Sequence, residues 1–280
     1  MAVRPHLTRY ASRDVTLLGD LRRPGGVTLA FTERTGGSSS APFGSLNLGD
    51  ACGDDDAAVA ANRSQLLEAL GVGHLIDRLV NPVQVHGSKV LVIRDGADAA
   101  VREAQRVARE GLDAVVCGVP DVPVLLCYAD CVPVVLVATG AFAVVHSGWR
   151  GTIERIAAKA LDELVNLAGC TPEEVLCYVG PHISGPDYEV SRELAEQFAG
   201  EFGEEVLCDA THLDLGAAVR ASLVAAGVPA ESIDDTLPST ASNTDRFFSY
   251  RAEQGRCGRH GAIAVLAGAC QGEVPTDVRS

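Results

Sequence analysis

Five Val-rich runs crowd the middle of the chain with short turns between them: Lys89–Arg94, Ala114–Gly118, Val122–Tyr128, Val132–Val137 and Ala141–His146. β-Branched residues in runs of this length read as strands. A parallel pair needs a crossover of about a dozen residues or more, so connections this short favour antiparallel neighbours over a doubly wound parallel sheet. Val27–Thr32, Glu174–Val179 and Gly261–Leu266 read as further strands. Apolar residues at helical spacing predict helices over Asp56–Leu70, closed by Gly71, and over Thr152–Ala168, closed by Gly169. Ser191–Phe202 and Asp214–Ala226 also look helical. The expected fold class is α/β, with mixed, largely antiparallel sheets covered by helices, in a single domain spanning 1-280.

Composition narrows the partners. The net charge is −14 over 280 residues, and the hydrophobic fraction is 47%. That fraction supports a sizeable core, while an acidic surface repels nucleic-acid phosphates and anionic membranes. A small anionic substrate would need a local cluster of Arg. The first ten residues have no apolar h-region of a signal peptide. The longest apolar stretch, Val122–Ala138, is broken by Pro123, Asp130 and Pro133, so a membrane helix is rejected. Nine scattered cysteines, an odd number with no CxxC pair, point to free thiols in a reducing, cytoplasmic compartment.

Three short segments place chemistry near predicted strand ends, where a rigid scaffold presents functional groups. They are Asn81-Pro82-Val83-Gln84-Val85-His86-Gly87, Tyr128-Ala129-Asp130-Cys131-Val132-Pro133 and Val145-His146-Ser147-Gly148-Trp149-Arg150-Gly151. Two imidazoles and a thiolate, His86, His146 and Cys131, suit a catalytic zinc that keeps a fourth position open. Each also has a structural reading: a turn histidine, a buried thiol, a strand-capping histidine. Asp130 beside Cys131 in an apolar stretch is a candidate for orienting a ligand or holding a substrate proton. Arg150 sits in a Gly-rich turn before a helix, where backbone N–H groups and a guanidinium favour anions. Arg63 falls on the apolar stripe of its helix, either as a structural ion pair or as an anion clamp. Asn47 either binds ribose or base, or satisfies its own loop.

Taken together these segments resemble the YfiH-type laccase-domain family, also described as polyphenol oxidase-like. The resemblance runs through Phe31-Thr32-Glu33-Arg34-Thr35-Gly36-Gly37, Ser45-Leu46-Asn47-Leu48-Gly49, Gly53-Asp54-Asp55, Asn62-Arg63, Gln84-Val85-His86-Gly87, Ala129-Asp130-Cys131-Val132-Pro133 and His146-Ser147-Gly148-Trp149-Arg150-Gly151. It continues through Gly180-Pro181, Tyr188-Glu189-Val190 and Phe247-Phe248-Ser249-Tyr250-Arg251. The resemblance implies zinc on His86, Cys131 and His146. It also implies a purine nucleoside enzyme: phosphorolysis of adenosine, inosine or methylthioadenosine, and deamination of adenosine. The partners implied are a purine nucleoside and phosphate. A multicopper centre fits poorly, because no cluster of His-x-His motifs is present.

Within that reading Asp130 and Arg150 are the catalytic candidates, with Asn47 and Arg63 as substrate-binding candidates; Arg63 and Arg150 would hold phosphate. Departures from the family pattern occur at His182, at Pro186-Asp187 and in Pro238-Ser239-Thr240-Ala241-Ser242. Two other readings remain. Cys131 activated by His146 would make a thiol hydrolase acting on an amide or ester. A zinc-binding accessory module would need no catalysis.

Overall fold

The structure is a computed structural model and describes residues 4–266. Its strands, in chain order, are β1 (Thr8–Ser12), β2 (Val15–Gly19), β3 (Val27–Thr32), β4 (Val90–Ile93), β5 (Ala114–Cys117), β6 (Val124–Tyr128), β7 (Val132–Ala138), β8 (Ala141–Ser147), β9 (Leu176–Val179), β10 (Ile233–Asp234) and β11 (His260–Leu266). They form a five-stranded sheet of order β1-β2-β3-β11-β6 and a six-stranded sheet of order β10-β9-β7-β8-β5-β4. Every pair is antiparallel except β4 with β5 and β9 with β10.

The helices are α1 (Asp56–Ala69), α2 (Asp98–Ala108), α3 (Trp149–Ile153), α4 (Ile156–Ala168), α5 (Arg192–Phe202) and α6 (Leu215–Ala225). Period-2 patterning splits each central strand between two cores. Phe31, Leu126, Val135, Phe142 and Val144 meet in the apolar layer between the sheets. Val134, Leu136, Ala143 and Val145 face the other way, against Leu161 and Leu164 of α4 and Val219 of α6. Leu17, Ile263 and Val265 pack on Leu66 and Leu67 of α1. Both sheets are thus apolar on both faces and covered by helices outside. Full burial of one such Leu or Phe contributes about 1.5–3 kcal/mol.

The structure corrects the long helix expected over Thr152–Ala168. Arg155 adopts left-handed backbone, φ 56°, and divides it into α3 and α4. The apolar periodicity runs on across the break, so pattern alone gives no sign of it. The β1–β2 hairpin, α2 and β10 also lie outside the sequence expectations. Cys270 lies outside the described residues, within which eight cysteines are free thiols. No helix of the described residues is long and apolar enough to cross a membrane.

One connection positions the site. β6 belongs to the first sheet and β7 to the second, so the chain crosses between sheets at Ala129-Asp130-Cys131. The reversal holds Asp130 at φ 88°, a conformation Asp tolerates better than most side chains.

Candidate functional site

His86, Cys131 and His146 arrive from three directions. Gln84 binds β6 through its side chain, donating to Cys127 O at 2.7 Å and accepting from Cys127 N at 2.8 Å. This contact lays the Asn81–Gly87 segment along the open edge of the first sheet and carries His86 to the crossover. Cys131 ends the crossover, and His146 stands near the end of β8, opposite Pro133 in the register. The ligand atoms of the three residues lie within 4.8 Å of one another.

Asp113, which sequence reasoning missed, organises the cluster. It is fully buried just before β5. Its Oδ1 accepts Nδ1–H of His146 at 2.8 Å and N–H of His86 at 2.9 Å, and its Oδ2 accepts from Gly87 N at 2.7 Å. His146 also donates its backbone N–H to Asp113 O at 2.7 Å. With Nδ1 engaged, Nε2 of His146 is the free ligand atom. The carboxylate also secures the turn that holds His86 at φ 59°.

The electrostatics follow from these contacts. Burial pushes the Cys131 thiol up, but His146 and His86 outweigh it and bring it down to about 6. Burial pushes His146 down, yet the Cys131 sulfur and Asp113 hold it up at about 9. A thiolate is therefore present at neutral pH, the form that ligates metal. Gly148 closes one side: a Cβ there would lie 2.9 Å from His86 Cδ2 and 3.2 Å from Cys131 Sγ. The donor set and this shaped recess fit a metal ion with three protein ligands.

The cluster opens on a cavity of about 600 Å³, within the usual range for small-molecule sites. Tyr188, Tyr250, Arg251 and Arg259 line its other walls. Asp130 lines it too, with Oδ1 accepting from Thr240 Oγ1 at 2.6 Å and Oδ2 from Arg251 N at 2.7 Å. It thereby ties the crossover to two distant loops.

The remaining sequence candidates sit elsewhere. Asn47 is fully buried. Its amide donates to Gly49 O and Asp54 Oδ2 and accepts from Gly49 N and Arg259 N, which holds the loop behind the cavity wall. Arg63 donates from Nε and Nη2 to Leu48 O and pairs with Asp50 at 3.4 Å. It borders an adjoining, shallower concavity shared with Arg109, which meets the main cavity at Asp50, Ala51 and Val83. Arg150 is exposed and stacks on Trp149 at 5.0 Å, away from the cavity lining. His182 packs at the start of α6, where a Cβ on Gly216 would come within 2.4 Å of its Nε2. Two departures from the family pattern form one contact: Ser239 and Ser242 each donate to Asp187 Oδ2 at 2.6 Å. The segments bearing Tyr188, Tyr250, Arg251 and Arg259 were visible only as family motifs or not at all. Their roles depend on distant loops folding together.

Fold and site define a helix-covered two-sheet protein with a His–Cys–His metal-type cluster on an open cavity. The chain belongs to the family described as multi-copper polyphenol oxidoreductase laccase, whose model matches residues 28–267. A purine nucleoside phosphorylase of Deinococcus radiodurans is 39% identical over 252 residues, covering 88% of this chain and 92% of that protein. Adenosine deaminase RL5, from an unknown prokaryotic organism, is 37% identical over 218 residues, 75% of this chain and 82% of that protein. Among solved structures, YlmD from Geobacillus stearothermophilus superposes with a TM-score of 0.81 at 29% identity, covering 94% of this chain and 100% of that one. YfiH from Bacillus licheniformis gives 0.80 at 27% identity, covering 91% and 97%.

Proposed function

We propose that this chain is a zinc-dependent purine nucleoside enzyme of the cytoplasm, cleaving adenosine, inosine and methylthioadenosine with phosphate and deaminating adenosine. The observation that carries the reading is the convergence of His86, Cys131 and His146 on a cavity of nucleoside-accommodating size. Near full-length similarity to proteins named for these two activities supports it.

Two imidazoles and a thiolate match zinc better than a multicopper centre. When bound, zinc supplies a Lewis acid at the cavity wall. The chain's own residues do the rest. Tyr188 and Tyr250 supply aromatic surface to the cavity wall against which a purine packs. Asp130 takes the proton-handling role: a carboxylate has about four lone-pair sites, and Thr240 and Arg251 occupy two. In phosphorolysis an oxygen of hydrogen phosphate forms the new bond to ribose C1′, the C1′–N9 bond breaks, and the proton the phosphate gives up passes through Asp130 to the departing base.

The lowered Cys131 thiol is equally a feature of a thiol hydrolase, the competing reading. Incubation of adenosine and inosine with the zinc-loaded protein, with and without phosphate, followed by chromatography, separates them. Free base with ribose 1-phosphate, or inosine from adenosine, supports the purine reading.

A further inference from the structure

The cavity wall carries two guanidinium groups that pair with no carboxylate among the described residues. Arg251 donates Nη2 to Glu189 O at 2.9 Å and lies 5.1 Å over the Tyr188 ring. Arg259 donates Nη1 to Cys257 O and Gly258 O, both at 2.8 Å, and lies 5.8 Å from the Tyr250 ring. These partners are neutral carbonyls and ring faces. They fix the side chains in place and leave each with its full charge.

The other arginines near the site are different. Arg34 pairs with Glu253, Arg63 and Arg109 with Asp50, and Arg246 with Glu33. The cavity's own acids do not neutralise Arg251 and Arg259 either. Asp50 is held by Arg63 and Arg109, and Asp130 accepts from Arg251 through the backbone N–H alone. In a chain of net charge −14, one recess thus holds two guanidinium groups without a carboxylate partner among the described residues, a local supply of cationic donors. Planar forks of N–H donors match tetrahedral oxyanions.

We infer that Arg251 and Arg259 form a phosphate-binding subsite in the same cavity as His86, Cys131 and His146. The ligand is a phosphate group, and the source the cavity suits is free inorganic phosphate. The inference rests on the purine nucleoside reading for its catalytic meaning, since phosphorolysis needs phosphate beside the nucleoside. The binding itself does not. Arg63 and Arg150, the cations that the sequence pattern favours, lie outside this subsite.

The test is binding of radiolabelled inorganic phosphate to the zinc-loaded protein by equilibrium dialysis, with AMP and adenosine compared in parallel. The parent should bind one phosphate saturably. Arg251→Gln and Arg259→Gln should each weaken it at least tenfold, with melting temperature and zinc content held at parental values. Arg63→Gln and Arg150→Gln should retain the parental dissociation constant. AMP bound at least tenfold more tightly than adenosine, with the preference lost in the same two variants and no inorganic phosphate bound, would assign the subsite to a nucleotide's own phosphate. Phosphate affinity unchanged in well-folded Arg251→Gln and Arg259→Gln proteins overturns the inference. If the parent binds phosphate through these residues but leaves every purine nucleoside unchanged, the purine reading fails and the subsite stands.

Discussion

A single carboxylate oxygen, Oδ1 of Asp113, receives both the ring N–H of His146 at 2.8 Å and the backbone N–H of His86 at 2.9 Å. One buried atom thus sets the orientation of one metal-type ligand and the backbone turn of another. Partners of this kind typically change metal affinity by about 10–100-fold. Asp113→Asn should lower zinc affinity within that range, measured by competition with a chromophoric chelator. Parental affinity in a folded Asp113→Asn protein would show that the contact does not tune the ligands.

The thiol chemistry makes a second prediction, with its sign fixed by the Cys131 environment. Cys131 is held at about 6, whereas burial pushes Cys127 and Cys117 up to about 11. In metal-free protein, iodoacetamide labelling of Cys131 should rise as pH passes through about 6 and level off above it. Zinc should suppress that labelling, because coordination ties up the thiolate. Rapid labelling of zinc-loaded Cys131, read by peptide mass spectrometry, would favour the hydrolase reading instead.

Much of this was legible beforehand, for physical reasons. Val-rich strands buried on both faces declare themselves by composition, so β5 to β8 lie close to their expected bounds. Residue type alone marks His86, Cys131 and His146 as ligand-capable. Asp113 was not legible: it reads as a polar residue before a strand, and its partner His146 lies across the β5–β8 pairing. Arg63 left two readings open in the sequence, a structural ion pair or an anion clamp, because its partners come from a distant loop: the Leu48 carbonyl and Asp50. Arg251 and Arg259 look like ordinary surface cations until the loops close around the cavity.

Arg63→Leu should therefore act on stability. It removes a two-pronged hydrogen bond to Leu48 O and leaves that acceptor only the weak Cys127 thiol donor at 3.4 Å, at a cost of about 1–3 kcal/mol. The melting temperature should fall while the KM for phosphate stays within about twofold of the parent. Loss of phosphate saturation without loss of stability would return Arg63 to the role of anion clamp.

Glu33 makes stability depend on acid. It is 2% exposed and bonded by Arg9 at 2.7 Å and Arg246 at 2.6 Å. Burial pushes its carboxyl up, but the two guanidinium groups outweigh that and hold it below the usual carboxylate range. A depressed folded-state pKa contributes stability above the unfolded value, near 4.3, and loses it as pH falls through the folded value. The melting-temperature gap between parent and Glu33→Gln should be full at pH 7 and shrink below about pH 4. A gap that does not change with pH would remove Glu33 from the acid response.

The most direct measurement is product chromatography after zinc-loaded protein meets adenosine and inosine in phosphate buffer, beside the Cys131→Ser and His146→Ala variants. The account predicts adenine or hypoxanthine with ribose 1-phosphate, and inosine from adenosine, for the parent, with both reactions lost in the variants. A zinc-loaded parent that leaves every purine nucleoside intact, with or without phosphate, would contradict it.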